Sequence, residues 1–252
     1  MEWLALVNKG LARVAKLVTH LGSCDLCLQE IYPTKRDECS SMGFICRYCL
    51  ADLALFEQEK IKGDLLSWPA VKRALPKCQF DRLFVLSPYL YPFDTWLKQF
   101  KYQGRFQLAR FLSKLLAREW LKYAYFDVTQ PVDLVVAVPV HVSRWQQRGY
   151  NQAHLLAKEF AQQAKLPYGT HLLKRVKQNA SQVGKSGAER RTSLRGAFCL
   201  REPLADGIKH VLIVDDVVTT GSTASEISAV LKRAGVEKVT LVTVCISLPQ
   251  KC

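Results

Sequence analysis

The chain has 252 residues, 49% of them apolar, and a formal net charge of +14. That length and apolar share suffice for a full core in one large domain, or in one domain with a small appendage, and they exclude a disordered polar chain. No run approaches the roughly 20 uninterrupted apolar residues of a membrane helix, and the longest, such as Leu134 to Val140, are strand-sized, so no membrane span is expected.

The segment Trp3 to Leu21 is apolar enough to suggest an export signal, but it opens after Glu2 and is broken by Lys9, Arg13 and Lys16. Leu4, Val7, Leu11, Val14, Val18 and Leu21 recur every three or four residues, which predicts an amphipathic helix. The nine cysteines are then expected in a reducing, cytoplasmic setting, as metal ligands or buried thiols rather than a disulfide framework. Cys24 and Cys27 are separated by eighteen residues from Cys46 and Cys49, with Gly43 before the second pair. Two such knuckles predict a closed tetrahedral site for structural zinc (Zn2+), with no open position for catalysis. Cys39 lies between the pairs and could replace one member; Cys78, Cys199, Cys245 and Cys252 are isolated. Residues 52 to about 80 read as a helical connector, which puts the expected boundary between a zinc-binding N-terminal domain, 1–80, and a larger domain, 81–252.

From Arg82 onward, apolar runs of strand length alternate with amphipathic segments. Strands are predicted over Leu83–Leu90, Val132–Val138, Val211–Val214 and Lys238–Cys245. Helices are predicted over Phe93–Phe100, Arg105 to about Tyr123, Asn151 to Lys165 and Ala224–Ala234. Continuous apolar strands between amphipathic helices imply an α/β fold with a parallel sheet flanked by helices. The charge is concentrated there: residues 81–252 hold 25 basic and 13 acidic residues, against 11 and 9 in residues 1–80. Such an excess suits phosphate-rich ligands or nucleic acid, or it serves as a solubilising surface. Arg110, Lys114, Arg118 and Lys122 recur every four residues opposite Leu108, Phe111, Leu112, Leu115 and Leu116. This stripe could track a nucleic-acid backbone or be an ordinary solvated face.

The chemistry concentrates in His210–Thr223. Val211 to Val214 deliver Asp215 and Asp216 to the end of a buried strand, where two carboxylates need hydroxyls, cations or solvent; a ribose diol or a magnesium ion would serve. Thr219, Thr220, Gly221, Ser222 and Thr223 then form a hydroxyl-rich loop that opens a helix, with Gly221 permitting close backbone approach. Free N–H groups, a helix dipole and hydroxyls make a compact phosphate site. Acid pair and loop are spaced for one phosphorylated sugar. There is no Gly-x-x-x-x-Gly-Lys, so hydrolysis of a nucleoside triphosphate is not supported.

This segment resembles the phosphoribosyl pyrophosphate (PRPP) signature of type I phosphoribosyltransferases. Together with the four cysteines, the segment His141-Val-Ser-Arg-Trp-Gln-Gln-Arg-Gly-Tyr-Asn-Gln152 and the run Ser181 to Phe198, the chain resembles the ComF family of bacterial competence-associated phosphoribosyltransferase-like proteins. Tyr150 stands where that family has Phe, and Ser193 where it has Asn. The resemblance implies a type I phosphoribosyltransferase-like fold, a PRPP or related phosphoribosyl ligand bound with Mg2+, and a role in DNA uptake and natural transformation. By position, Pro139, Val140 and His141 would cradle pyrophosphate, with Arg144 and Arg148 neutralising it, or forming a solvated helix start. His141 is either a proton shuttle or a structural residue. Lys174–Arg201 has eight basic residues against Glu189 and reads as a basic flap, with Gln182, Lys185, Arg190 and Arg191 as candidate contacts. Two functions follow: a phosphoribosyl-transferring enzyme, or a non-catalytic module that senses a phosphoribosyl ligand and contacts single-stranded DNA or DNA-uptake proteins.

Overall fold

The computed structural model describes residues 22–31, 44–76, 78–124, 131–177 and 194–247. The helix expected over Trp3–Leu21, Cys39, and the flap residues Gln182, Lys185, Arg190 and Arg191 lie outside them. Two compact units divide between Ala54 and Leu55. This corrects the boundary expected at residue 80, and the reason is burial: Ile61, Leu65, Val71, Leu75 and Phe80 all belong to the core of the larger unit.

In the smaller unit a short antiparallel ladder, β1 (Gly22–Ser23) with β2 (Glu30–Ile31), flanks the first cysteine pair. Helix α1 (Arg47–Ala51) carries the second. The larger unit begins with the former connector, which contains one 3-10 turn, Leu65–Ser67, and one short helix, α2 (Pro69–Ala74). Then follow β3 (Arg82–Pro88), α3 (Phe93–Tyr102), α4 (Gln107–Ala124), β4 (Leu134–Ala137), α5 (Val142–Arg148) and α6 (Gln152–Ala164). Strands β5 (Leu173–Arg175) and β6 (Phe198–Leu200) pair as an antiparallel ladder at the two ends of the basic segment, an element that three-residue strands leave illegible in sequence. Strand β7 (His210–Val218), helix α7 (Ser222–Arg233) and strand β8 (Lys238–Ile246) complete the unit.

The main sheet is parallel throughout, in the order β3-β8-β7-β4. Side chains alternate between faces along each strand. Leu83, Val85, Val211, Ile213, Val239 and Leu241 join Ile227 and Leu231 of α7 and the Leu65–Phe80 segment in one core. Residues of the opposite parity face α4 and α6: Phe84 packs edge-on to Trp120 at 5.1 Å, and Trp120 meets Phe160 at 6.2 Å. The buried Ser113 hydroxyl donates to the Leu156 carbonyl at 2.9 Å, tying α4 to α6. Among the described residues no helix is long and apolar enough to cross a membrane.

Two carboxylates close the amino edge of the sheet. Asp133, just before β4, accepts the backbone N–H groups of Lys209 and His210, both at 2.8 Å. Asp81, just before β3, accepts the Val239 N–H at 2.8 Å and pairs with Lys232 at 2.6 Å. The His210 N–H holds the Asp133 carboxyl below the usual carboxylate range. A group whose folded pKa is depressed stabilises above its unfolded pKa and loses that contribution as the pH falls through the folded value. Asp133→Ala should therefore cost about 1 kcal/mol at neutral pH, a discounted figure for a partly exposed acceptor of two backbone bonds. Urea unfolding of both proteins at successively lower pH should show that difference shrink once the pH drops below the ordinary carboxylate range. A constant difference would mean that the two hydrogen bonds do not depend on the charge.

Candidate functional site

Strand β7 was expected to end at Val214, but its pairing with β8 continues through Asp215↔Thr243 to Val218↔Ile246. The acid pair therefore lies inside the strand, and alternation sends the two carboxylates to opposite faces. Asp215 shares the side of Val211 and Ile213, over the start of α7. Asp216 is buried on the other side, where Lys101 from the last turn of α3 places its Nζ 2.9 Å from Oδ2.

Their electrostatics differ accordingly. Burial, reinforced by the neighbouring Asp216 charge, pushes the Asp215 carboxyl up to about 7. Burial also works against the Lys101 ammonium, but the Asp216 carboxylate outweighs it and holds the lysine above its ordinary pKa. Neither Lys101 nor its partnership was visible in the sequence, because α3 and β7 are more than a hundred residues apart along the chain.

A cavity of about 480 Å³ opens over this edge of the sheet, a volume in the range of small-molecule sites. Asp215, Asp216, Thr219 and Thr223 line it, with Pro139, Val140 and Arg148 on the β4 side and Lys101 and Tyr102 from α3. A second, smaller space of about 60 Å³ is enclosed by the loop Thr219–Thr223 together with Asp215. Helix α7 starts at Ser222 without a side-chain cap, and the Thr220 and Ser222 hydroxyls bond to each other at 2.9 Å. The sequence-expected acid pair and hydroxyl loop are thus together in one place.

Gly221 has a packing role that the sequence does not show. It has φ +66°, and a Cβ there would meet Leu75 at 3.3 Å and Phe80 at 3.4 Å. The glycine lets the loop sit against the core, and it also lines the small space inside the loop.

Across the cavity, Asn151 joins strand to helix. Its Nδ2 donates to the Val138 carbonyl at 3.0 Å while its Oδ1 accepts the Ala153 N–H, capping α6. Arg148, at the end of α5, donates to Gln152 Oε1 at 3.2 Å and to the Tyr102 hydroxyl at 3.3 Å, with its guanidinium 5.0 Å from the Tyr102 ring centre. Gln152 is 2% exposed and lines the cavity, and its Nε2 is a buried donor with no hydrogen-bond partner among the described residues. Such a donor suits an acceptor-rich ligand. Sequence reasoning passed over Gln152, although it closes the Arg-Gly-Tyr-Asn-Gln pattern.

His141 is not brought to the cavity wall. It caps α5, its Nδ1 accepting the Ser143 N–H at 3.2 Å and lying 2.9 Å from the Ser143 hydroxyl. That is the structural role left open in the sequence, and a proton shuttle at His141 finds no geometric support. The Arg144 side chain lies outside what the structure describes.

In the smaller unit the sulfur atoms of Cys24, Cys27, Cys46 and Cys49 all lie within 4.8 Å of one another. The Cys27 and Cys46 sulfurs are 3.7 Å apart, close to the edge of about 3.8 Å that a tetrahedron with Zn–S bonds of about 2.3 Å requires. Burial opposes a thiolate at Cys24, yet backbone N–H groups, among them that of Cys46 at 3.3 Å, bring its thiol down to about 6. The donor set fits a structural zinc.

The cationic stripe of α4 is less open than its spacing suggests. Arg118 and Lys122 both bind Glu119, at 2.8 and 3.0 Å, and Lys114 is half-buried; Arg110 is exposed.

Comparison with known proteins agrees with this geometry. Residues 148–251 match the family model described as the phosphoribosyl transferase domain, which takes in Arg148, Gln152, the acid pair and the hydroxyl loop. Competence protein F of Haemophilus influenzae is 33% identical over 161 residues, 64% of this chain and 70% of that protein. DNA utilization protein YhgH of Salmonella typhimurium is 30% identical over 245 residues, 94% of this chain and 96% of that protein. Competence protein ComFC of Streptococcus pneumoniae is 26% identical over 144 residues, 57% of this chain and 59% of that protein. With its paired cysteines, parallel sheet and phosphoribosyl transferase segment, the chain belongs to the ComF family of competence-associated phosphoribosyltransferase-like proteins.

Proposed function

We propose that this protein binds PRPP in the cavity above the carboxyl edge of its sheet and acts in DNA uptake and natural transformation. The observation that carries the reading is that Asp215, Asp216, Thr219 and Thr223 line one cavity with Arg148 and the orphaned donor of Gln152. Asp215 accepts from the ribose diol, the Thr219–Thr223 loop and the uncapped start of α7 take the 5′-phosphate, and Arg148 with Gln152 faces the diphosphate. In transfer, the bond from C1 to the diphosphate oxygen breaks, pyrophosphate leaves with the bonding pair, and an amine nitrogen donates its lone pair to C1 and then loses a proton. Arg148 steadies the charge that develops on the leaving oxygens. Magnesium carried by the diphosphate would add to that neutralisation. The names of the relatives support the competence role.

Calorimetry should detect PRPP binding in the presence of Mg2+, and Asp215→Asn should remove it. Asp215 has a raised folded pKa, so the folded state holds its proton longer than the unfolded chain does. Stability is accordingly lost as pH rises from the ordinary value near 4 to about 7. Asp215→Asn should therefore melt at least as high as the parent at neutral pH and lack that slope. Asp216→Asn is a poorer choice, since it leaves the Lys101 ammonium without its carboxylate. Failure of both PRPP and ribose 5-phosphate to bind at millimolar concentration would end the phosphoribosyl reading.

We further propose that Cys24, Cys27, Cys46 and Cys49 hold one zinc. Elemental analysis of unchelated protein should find about one equivalent, because a closed four-thiolate site binds a single ion. Cys46→Ser should lose it and open the segment before Leu55 to limited proteolysis while the sheet unit survives. Protein that is fully folded and free of zinc would contradict the assignment.

The alternative reading is a non-catalytic module, regulated by a phosphoribosyl ligand, that binds DNA or a partner protein. It is best tested at Arg110 and Lys114, because reversing Arg118 would also disturb Glu119. Arg110→Glu with Lys114→Glu should flatten the salt dependence of any DNA binding by about two phosphate contacts; an unchanged slope would return α4 to a solvated face.

A further inference from the structure

Asp216 already has a cation. Lys101 lies 2.9 Å from its Oδ2, and the two side chains are only 21% and 12% exposed, so neither is an ordinary surface ion. The lysine is held in place from both sides along the chain. The Tyr150 hydroxyl donates to the carbonyl of Phe100, the residue before it, and the Tyr150 ring packs against Phe100 and Phe106 at 5.9 and 4.6 Å. Tyr102, the residue after it, lies against Arg148.

This arrangement fits poorly with a divalent ion coordinated by the acid pair. Mg2+ requires near-octahedral oxygen ligands and gives up its water reluctantly. To reach Asp216 it would have to sit within ion-pair distance of a buried ammonium or displace it. The other carboxylate offers little in exchange, since Asp215 turns to the opposite side of the strand, over the loop at the head of α7. The Lys101 ammonium already faces Asp216 Oδ2, and the remaining oxygens suit sugar hydroxyls better than a dication.

We infer that Lys101 is the resident counterion of the acid pair, standing where a divalent cation would otherwise be needed, so that the phosphorylated pentose binds without metal and the requirement for Mg2+ is confined to the diphosphate. The inference rests on the phosphoribosyl reading and makes Lys101 a positioning residue, acting on the ligand through Asp216.

Ribose 5-phosphate separates the two parts, because it carries the pentose and a single phosphate but no diphosphate to chelate the ion. Titrated calorimetrically into the full-length protein, it should bind with the same affinity, to within about twofold, in EDTA and in millimolar Mg2+. Lys101→Met should lose at least about tenfold in EDTA and recover part of that with Mg2+, while Lys101→Arg keeps the parent's indifference to metal. Mn2+ alone, followed by electron paramagnetic resonance, should find no site at the acid pair of the parent and should gain one in Lys101→Met that a further Asp216→Asn change removes. Binding of ribose 5-phosphate to the parent only when Mg2+ is present would overturn the inference and leave the phosphoribosyl reading standing. So would a Lys101→Met protein that binds as tightly as the parent in EDTA. Absence of ribose 5-phosphate binding under every condition would overturn both.

Discussion

Two neighbouring carboxylates on a strand leave it in opposite directions, because each residue of a strand turns its side chain to the face opposite its neighbour's. In this sheet that rule separates Asp215, over the hydroxyl loop at the head of α7, from Asp216, against Lys101 of α3. The rest of the site is arranged around the division. One face contributes an uncapped helix and threonine hydroxyls, and the other contributes a lysine whose helix is pinned by Tyr150 and Arg148. The cavity spans both because the strand that carries the pair is one of the two central strands of the sheet.

Much of this was legible in the residues. Apolar runs bounded by amphipathic segments located all four main strands and the four longer helices, though not the short α5, since burial on both faces leaves few polar positions to confuse the period. The acid pair, the hydroxyl loop and the four cysteines could be found because each is contiguous or regularly spaced. What was missed depends on contacts between distant parts of the chain. The end of β7 is set by hydrogen bonds to β8, so an apolar run that stops at Val214 understates the strand. Lys101 looks like one more basic residue on an amphipathic helix until the fold carries it to Asp216. Gln152 becomes conspicuous only when burial leaves its amide without a partner.

The same distinction explains the connector and Gly221. Residues 55–80 have no strong helical period, because much of the segment is turn and irregular chain whose apolar residues fill one side of the sheet. Gly221 is adjacent to Leu75 and Phe80 of that segment, so the packing that holds the loop in place also depends on this glycine. The substitution of Tyr for Phe at position 150 shows the reverse case. The added hydroxyl finds the Phe100 carbonyl, and a change that looks minor in sequence acquires a partner beside the site.

The order of strands across the sheet also bears on how the protein comes into being. The two edge strands, β3 and β4, are made before their partners and do not touch each other; each is paired to the sheet only through β8 or β7, both of which come later in the chain. During synthesis the apolar sides of the early strands therefore have no ladder to join until β7 and β8 have left the ribosome. The sheet closes from its centre and late, β7 on β4 and then β8 between β7 and β3, and the nascent chain must be shielded from association until then. A ribosome stalled before residue 210 would hold a chain with helices and cysteine knuckle but without the centre of its sheet.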